Sequence, residues 1–150
     1  MMQWYRSFTY LAVFMLTVGC QGPSPLQGNV KREYFPKGQL KSEFIMSDST
    51  GKNGILKEYG LDGELASITP IRNGLKNGVQ KVYDKQGRVI LETTYLNGQK
   101  NGTQKAYFPN GRVWYVMHFT RNILNGHAVM YDAKGNLTKE AYYVNGKRTD

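Results

Sequence analysis

The chain has 150 residues, with 20 basic against 11 acidic side chains, a formal net charge of +9, 17 glycines, 11 tyrosines, two histidines and one cysteine. One domain is the expectation at this length, and a single cysteine excludes an internal disulfide framework and a cysteine-based zinc site. A hydrophobic share of 40% with 13% aromatic residues is too high for a disordered tail, so composition describes a small, basic, Gly/Tyr-rich domain and names no activity.

Residues 1–19 read as an address rather than as fold. Arg6 is the one charged side chain before an uncharged run from Phe8 to Val18. As a helix that run reaches about 16 Å, short of the roughly 30 Å hydrocarbon core of a bilayer. A short positive region, an apolar stretch and then small residues are the pattern of a secretory signal peptide. Val18-Gly19-Cys20 resembles the box of a bacterial lipoprotein signal, with Thr17 where that family prefers leucine. The resemblance implies cleavage after Gly19, lipid attachment at Cys20 and, since Gln21 rather than aspartate follows, residence in the outer membrane of a host that has one. The alternative is an ordinary signal peptide with Cys20 left as a stray thiol. Residues 20–33, with prolines and glycines and no apolar periodicity, are expected to be the lipidated cysteine and a flexible tether. The repeat domain is expected over 34–150.

Internal repetition dominates the remainder. Tyr34, Tyr59, Tyr83, Tyr107 and Tyr131 are spaced by 25, 24, 24 and 24 residues. Glycine follows each four positions later (Gly38, Gly63, Gly87, Gly111, Gly135), and an aliphatic two further on (Leu40, Leu65, Val89, Val113, Leu137). Large apolar residues stand twelve after each tyrosine, at Met46, Ile71, Tyr95, Phe119 and Tyr143. Gly54, Gly78, Gly102 and Gly126 precede the later tyrosines by five, each after an asparagine.

Each unit reads as two strands and two turns. Val113, Tyr115, Met117 and Phe119 alternate with polar and other neighbours, and Val89, Leu91, Thr93 and Tyr95 do the same, the period-two signature of strands. Asn73-Gly74, Asn97-Gly98 and Asn145-Gly146 suit the positive φ of tight hairpin turns. In the fourth unit Arg121-Asn122 replaces Asn-Gly, which predicts a distorted turn. Pro70 falls inside an expected strand and predicts a bulge or weak pairing, and Ser47 to Gly51 form an insertion. No stretch after residue 30 sustains a 3.6-residue period. The expectation is an all-β, elongated, single-sheet antiparallel meander of about five 24-residue hairpin repeats and about ten short strands, with stability nearly one-dimensional. The tyrosine column and the Tyr95, Phe119, Tyr143 column are its expected glue.

The segment Tyr95-x-Asn97-Gly98-x-x-Asn101-Gly102-x-x-x-x-Tyr107-x-x-x-Gly111 resembles tandem MORN repeats (membrane occupation and recognition nexus), in the variant class common in bacterial proteins. The likeness runs from Tyr34 to Lys147. Members of the variant class include lipoproteins and antitoxin-like proteins. The resemblance implies a sheet used for binding or scaffolding, and no catalytic residue.

The residues themselves offer little chemistry. His118 and His127 belong to different expected strands and lack a nucleophile at motif spacing, so both are expected to be ordinary sheet positions. Glu43, Glu92 and Glu140 share the position nine after the tyrosine and are expected to be cross-strand partners for lysine. No helix follows the Gly-Lys or Asn-Gly pairs, so they make no phosphate loop. No cofactor and no metal are expected. Lys57, Lys81 and Lys105 stand two before successive tyrosines, on their face, while Lys52, Lys76 and Lys100 precede the Asn-Gly pairs along one sheet edge. Together with an aromatic row they predict an electropositive strip for an anionic polymer or lipid headgroups; the other reading is a solvated face whose edge lysines block aggregation.

The expectation is therefore a non-enzymatic, membrane-anchored lipoprotein of the cell envelope whose sheet binds an envelope protein or anionic polymer. The alternative is an antitoxin or immunity-type protein acting by direct binding. Nucleic acid is not an expected partner of an exported chain, and self-association through the open sheet edges is possible.

Overall fold

The computed structural model describes residues 29–150. The signal stretch, Cys20 and the chain through Gly28 lie outside the described residues. Twelve strands follow in chain order: β1 (Val30–Tyr34), β2 (Leu40–Met46), β3 (Gly54–Tyr59), β4 (Leu65–Arg72), β5 (Leu75–Lys76), β6 (Gly78–Tyr83), β7 (Val89–Leu96), β8 (Gln99–Tyr107), β9 (Val113–Thr120), β10 (Ile123–Tyr131), β11 (Leu137–Val144) and β12 (Lys147–Arg148). They form one antiparallel meander, β1-β2-β3-β4-β6-β7-β8-β9-β10-β11-β12, with the two-residue β5 paired to β4. Substantial contacts run only between strands adjacent in this order, the nearest-neighbour pattern of a repeat array. The first strand starts at Val30, earlier than the expected boundary at Tyr34, because Val30 to Glu33 pair with Ile45 to Ser42.

From β3 onward each repeat carries two irregularities at fixed places, one in each of its successive hairpins, whereas β2 and β3 pair without a shift. At one end each repeat tyrosine faces the aliphatic six residues on, as in Tyr83↔Val89 and Tyr107↔Val113, and the next pairs are Val82↔Leu91 and Ala106↔Tyr115. One residue of the following strand, Ile90 or Trp114, is thus left over, a bulge. Val113 consequently shares a face with Tyr107 while Tyr115 lies on the other, so the simple alternation expected from Val113 to Phe119 breaks at its first member. The intervening turn is closed by hydrogen bonds such as Asp84 N to Arg88 O (2.9 Å) and Gly87 N to Asp84 O (3.0 Å).

At the other end sits a two-residue turn with positive φ at both positions: 53° and 75° at Asn73-Gly74, 49° and 80° at Asn97-Gly98. This is the type I′ geometry that matches the twist of a hairpin. Arg121-Asn122 adopts it as well, with φ of 50° and 68°, so the expected distortion does not occur. Neighbouring contacts hold it: Asn122 N donates to Lys100 O at 2.9 Å, as Gly74 N does to Lys52 O and Gly98 N to Lys76 O, both at 2.8 Å. Beyond the turn the register jumps again, from Tyr95↔Lys100 to Thr93↔Gln104 and from Leu124↔Phe119 to Ala128↔Met117. The equivalent jump, between Ile71↔Lys76 and Ile68↔Lys81, spans Pro70. The predicted bulge at Pro70 is present, but its cause is the repeat: Thr94 and His118 occupy the same place in the next units.

The glycine of the second Asn-Gly pair makes that jump possible. Gly102 has φ 115°, and a Cβ built on it would lie 3.2 Å from Thr94 Cβ. Gly78 approaches Pro70 and Gly126 approaches His118 in the same way, at 3.3 Å. The preceding asparagines serve the turns, with Asn53 Oδ1 accepting from Asn73 N (2.8 Å) and Asn125 Oδ1 from Asn145 N (3.2 Å).

Candidate binding surface

The register divides the side chains into two faces. One cross-strand row runs Arg32, Glu43, Lys57, Ile68, Lys81, Glu92, Lys105, Val116, Val129, Glu140. The repeat tyrosines share this face, since Tyr59 donates its hydroxyl to Glu43 Oε2 (2.9 Å) and Tyr107 to Glu92 Oε2 (2.8 Å). Burial first, and then the acceptor carboxylate of Glu92, push the Tyr107 hydroxyl up to about 12; the same two causes raise Tyr59. Hydrogen bonds from Arg32 and then Tyr59 hold the Glu43 carboxyl below its ordinary range. Lys81 Nζ lies 3.5 Å from Glu92, and Arg32 Nε 2.8 Å from Glu43. The repeated acids are cross-strand partners of cations, as expected at Glu43 and Glu92; Glu140 instead meets His127.

The rows on either side of this line point to the opposite face. There Gln80 Nε2 donates to Thr69 Oγ1 (2.9 Å) and Gln104 Nε2 to Thr93 Oγ1 (3.1 Å). These four, with Gly54, Ser67, Ala106 and Ala128, are the buried residues of the described chain. One layer has no second sheet to cover it, so their burial comes from neighbours on the same face. Five of the eight are polar, and the threonine and glutamine hydroxyl and amide groups satisfy one another across strands. The sequence contains this ladder at ten after and three before the tyrosine, but apolar residues at the same positions in the terminal units (Phe44, Leu56, Met117, Ala128) obscure it as a column.

The Tyr95, Phe119, Tyr143 column also lies on the threonine–glutamine face, since Tyr95 faces Gly78, Phe119 faces Gly102 and Tyr143 faces Gly126. Lys76 Nζ sits 5.1 Å from the Tyr95 ring centre and Lys100 Nζ 5.0 Å from that of Phe119, within cation–π range. The predicted single strip is thereby corrected. Lys76 and Lys100 accompany aromatic rings on one face, while Lys57, Lys81 and Lys105 stand on the other, interleaved with Glu43 and Glu92. Lys52 lines a cleft of about 400 Å³ beside Phe44, Leu56 and Ile71 on the threonine–glutamine face. His118 and His127 are on adjacent strands, His118 Nδ1 lying 3.0 Å from the His127 carbonyl oxygen. Among the described residues no group of three or more His, Cys, Asp or Glu could hold a metal ion, and no helix is long and apolar enough to cross a membrane.

Fold and surface together define a single-layer β-repeat protein, built of repeats with two bulges each that present charged and aromatic side chains in cross-strand rows. Residues 100–120 and 124–145 match the MORN repeat variant; the first stretch spans β8 and β9 and the second β10 and β11. No curated protein matches the chain. The unit of the matched stretches, tyrosine, bulge, turn glycine and Asn-Gly jump, recurs geometrically upstream through β3, β4, β6 and β7.

Proposed function

We propose that the protein is a non-catalytic envelope lipoprotein, anchored through Cys20, whose repeat sheet is a binding or scaffolding surface. The observation that carries the binding role is the match of two units to the MORN repeat variant on a sheet whose two faces are left uncovered by the described residues. The anchor rests on the signal pattern ending at Cys20. Lys76 over Tyr95 and Lys100 over Phe119 favour an anionic polymer at the turn end of the threonine–glutamine face, because neither lysine has an acid opposite it in the ladder.

Metabolic labelling with a palmitate analogue in the native host tests the anchor: label is expected on the wild type and absent from Cys20→Ala, and no label on either would overturn it. For the surface, retention on dextran sulfate is expected to fall about thirtyfold in Lys76→Gln/Lys100→Gln, two charges each contributing roughly 1 kcal/mol at low salt. Equal retention by that variant and the wild type would reject binding through these two lysines.

A further inference from the structure

We infer that copies of this chain associate head to tail, β11 of one copy pairing with β1 of the next in the register the repeats use internally. Among the described residues the outer edge of β1 bears no ladder. The outer edge of β11 is occupied near its end, by β12 at Tyr143 and Val144 and by Thr149 and Asp150 at Tyr142. Its Leu137 to Ala141 stretch is open. All five residues of β1 are exposed, as are six of the eight in β11. From β1 to β11 the sheet path crosses ten strands of alternating direction. A following copy in the same orientation therefore sets its β1 antiparallel to β11, like every other neighbouring pair.

The internal register determines what would meet at that junction. The residue two before a repeat tyrosine faces the residue nine after the preceding one: Lys57 faces Glu43, Lys81 faces Ile68, Lys105 faces Glu92 and Val129 faces Val116. Continued by one step, the rule sets Arg32 of the next copy against Glu140, and Glu33 against Lys139. Both pairs are of opposite charge, one on each face. A slip of one residue one way sets Arg32 against Lys139 and offsets it only with Lys31 against Glu140, and the other way sets Glu33 against Glu140, so only the unslipped register has two opposite pairs and no like pair. Lysine or arginine on an edge strand ordinarily blocks pairing; here the opposite edge carries the complement.

Both ends are equipped for it. Arg32 bonds Glu43 yet keeps half its side chain exposed, 49%, and Glu140, touched by His127 at one oxygen, keeps 50%. A charged residue flanked on both sides already occurs inside the sheet, where Glu92 lies between Lys81 and Lys105. Arg32 between Glu43 and the Glu140 of a preceding copy is the same arrangement with the signs reversed. The contact is heterologous and does not close on itself, so its products are open chains of copies.

Complementary charge reversal tests this, by sedimentation velocity of the full chain in one detergent over a concentration series. The wild type is expected to self-associate. Arg32→Glu alone and Glu140→Lys alone each set like charges at the junction and should associate about tenfold more weakly. Mixed in equal amounts, the two variants restore an opposite pair at every hetero-junction and should recover association to within about threefold of the wild type, which also shows that both are folded. A wild type that stays monomeric, single variants that associate like the wild type (as in pairing of β1 with β1 in another register), or a mixture that remains dissociated would each overturn the inference.

Discussion

Tyr107 reaches across from the end of β8 to Glu92 on β7, its hydroxyl 2.8 Å from Oε2. Tyr59 makes the same bond to Glu43 two repeats earlier, at 2.9 Å. Tyr59 and Tyr107 are therefore links to the acid of the neighbouring strand as well as packing residues, whereas Tyr83 and Tyr131 find Ile68 and Val116 at that position. Tyr107 fixes the carboxylate that Lys81 then pairs with at 3.5 Å.

That link has a pH signature. Folding raises the Tyr107 hydroxyl above its ordinary value of about 10, to about 12, so the stabilisation is complete below about pH 10. It is lost as pH rises toward 12, because the unfolded chain ionises first. Tyr107→Phe is expected to lower stability by about 1 kcal/mol at pH 7, the loss of one hydrogen bond to a partly exposed acceptor. It should also flatten the fall in urea midpoint between pH 10 and pH 12. A fall as steep as that of the wild type would show that Tyr107 does not carry the effect.

Two glycines with positive φ separate conformational cost from collision. Gly111 has φ 81° and open space around its Cβ position, whereas Gly102 has φ 115° and Thr94 Cβ at 3.2 Å. Gly111→Ala should cost about 1 kcal/mol, the left-handed penalty alone. Gly102→Ala should cost roughly 2–3 kcal/mol, since Thr94 or the bulge must also shift. Urea denaturation of the two variants decides the matter, and equal midpoints would exclude a role for the Thr94 contact.

The turn at Arg121-Asn122 predicts a gain. Arg121 holds φ 50° without the local side-chain bonds that let asparagine visit that region. Arg121→Asn should therefore stabilise the chain by roughly 0.5–1 kcal/mol, seen as a rise of a few degrees in Tm. Asn122 is left in place because its Oδ1 accepts from Lys100 N at 2.7 Å. Asn122→Gly at the same turn should bring little gain for that reason, and a fall in Tm on Arg121→Asn would refute the account of the turn.

Much of the architecture was legible in the amino-acid order. The tyrosine spacing, the Asn-Gly pairs and the absence of a helical period define hairpins that can only pair with their sequence neighbours, and the cation–acid pairing at Glu43 and Glu92 follows from position. Turn conformation is a property of a few adjacent residues, so it can be read locally. Arg121-Asn122 is the exception: its backbone geometry is imposed by the neighbouring hairpin, through Asn122 N to Lys100 O, and nothing adjacent in the sequence signals that.

By itself, then, the sequence determined the repeat and the antiparallel meander, because these depend on short-range turn chemistry. Tertiary structure alone decided which face the columns beyond each bulge occupy. Side chains alternate every residue along a strand, so each extra residue at a bulge reverses the assignment beyond it. Lys57, Lys81 and Lys105, two residues from each tyrosine, share its face as their spacing implies, whereas the two bulges per repeat set Lys76 and Lys100 on the far face beside Tyr95 and Phe119. The buried Thr–Gln ladder has the same origin, since its four members come together only once the register across β4, β6, β7 and β8 is set.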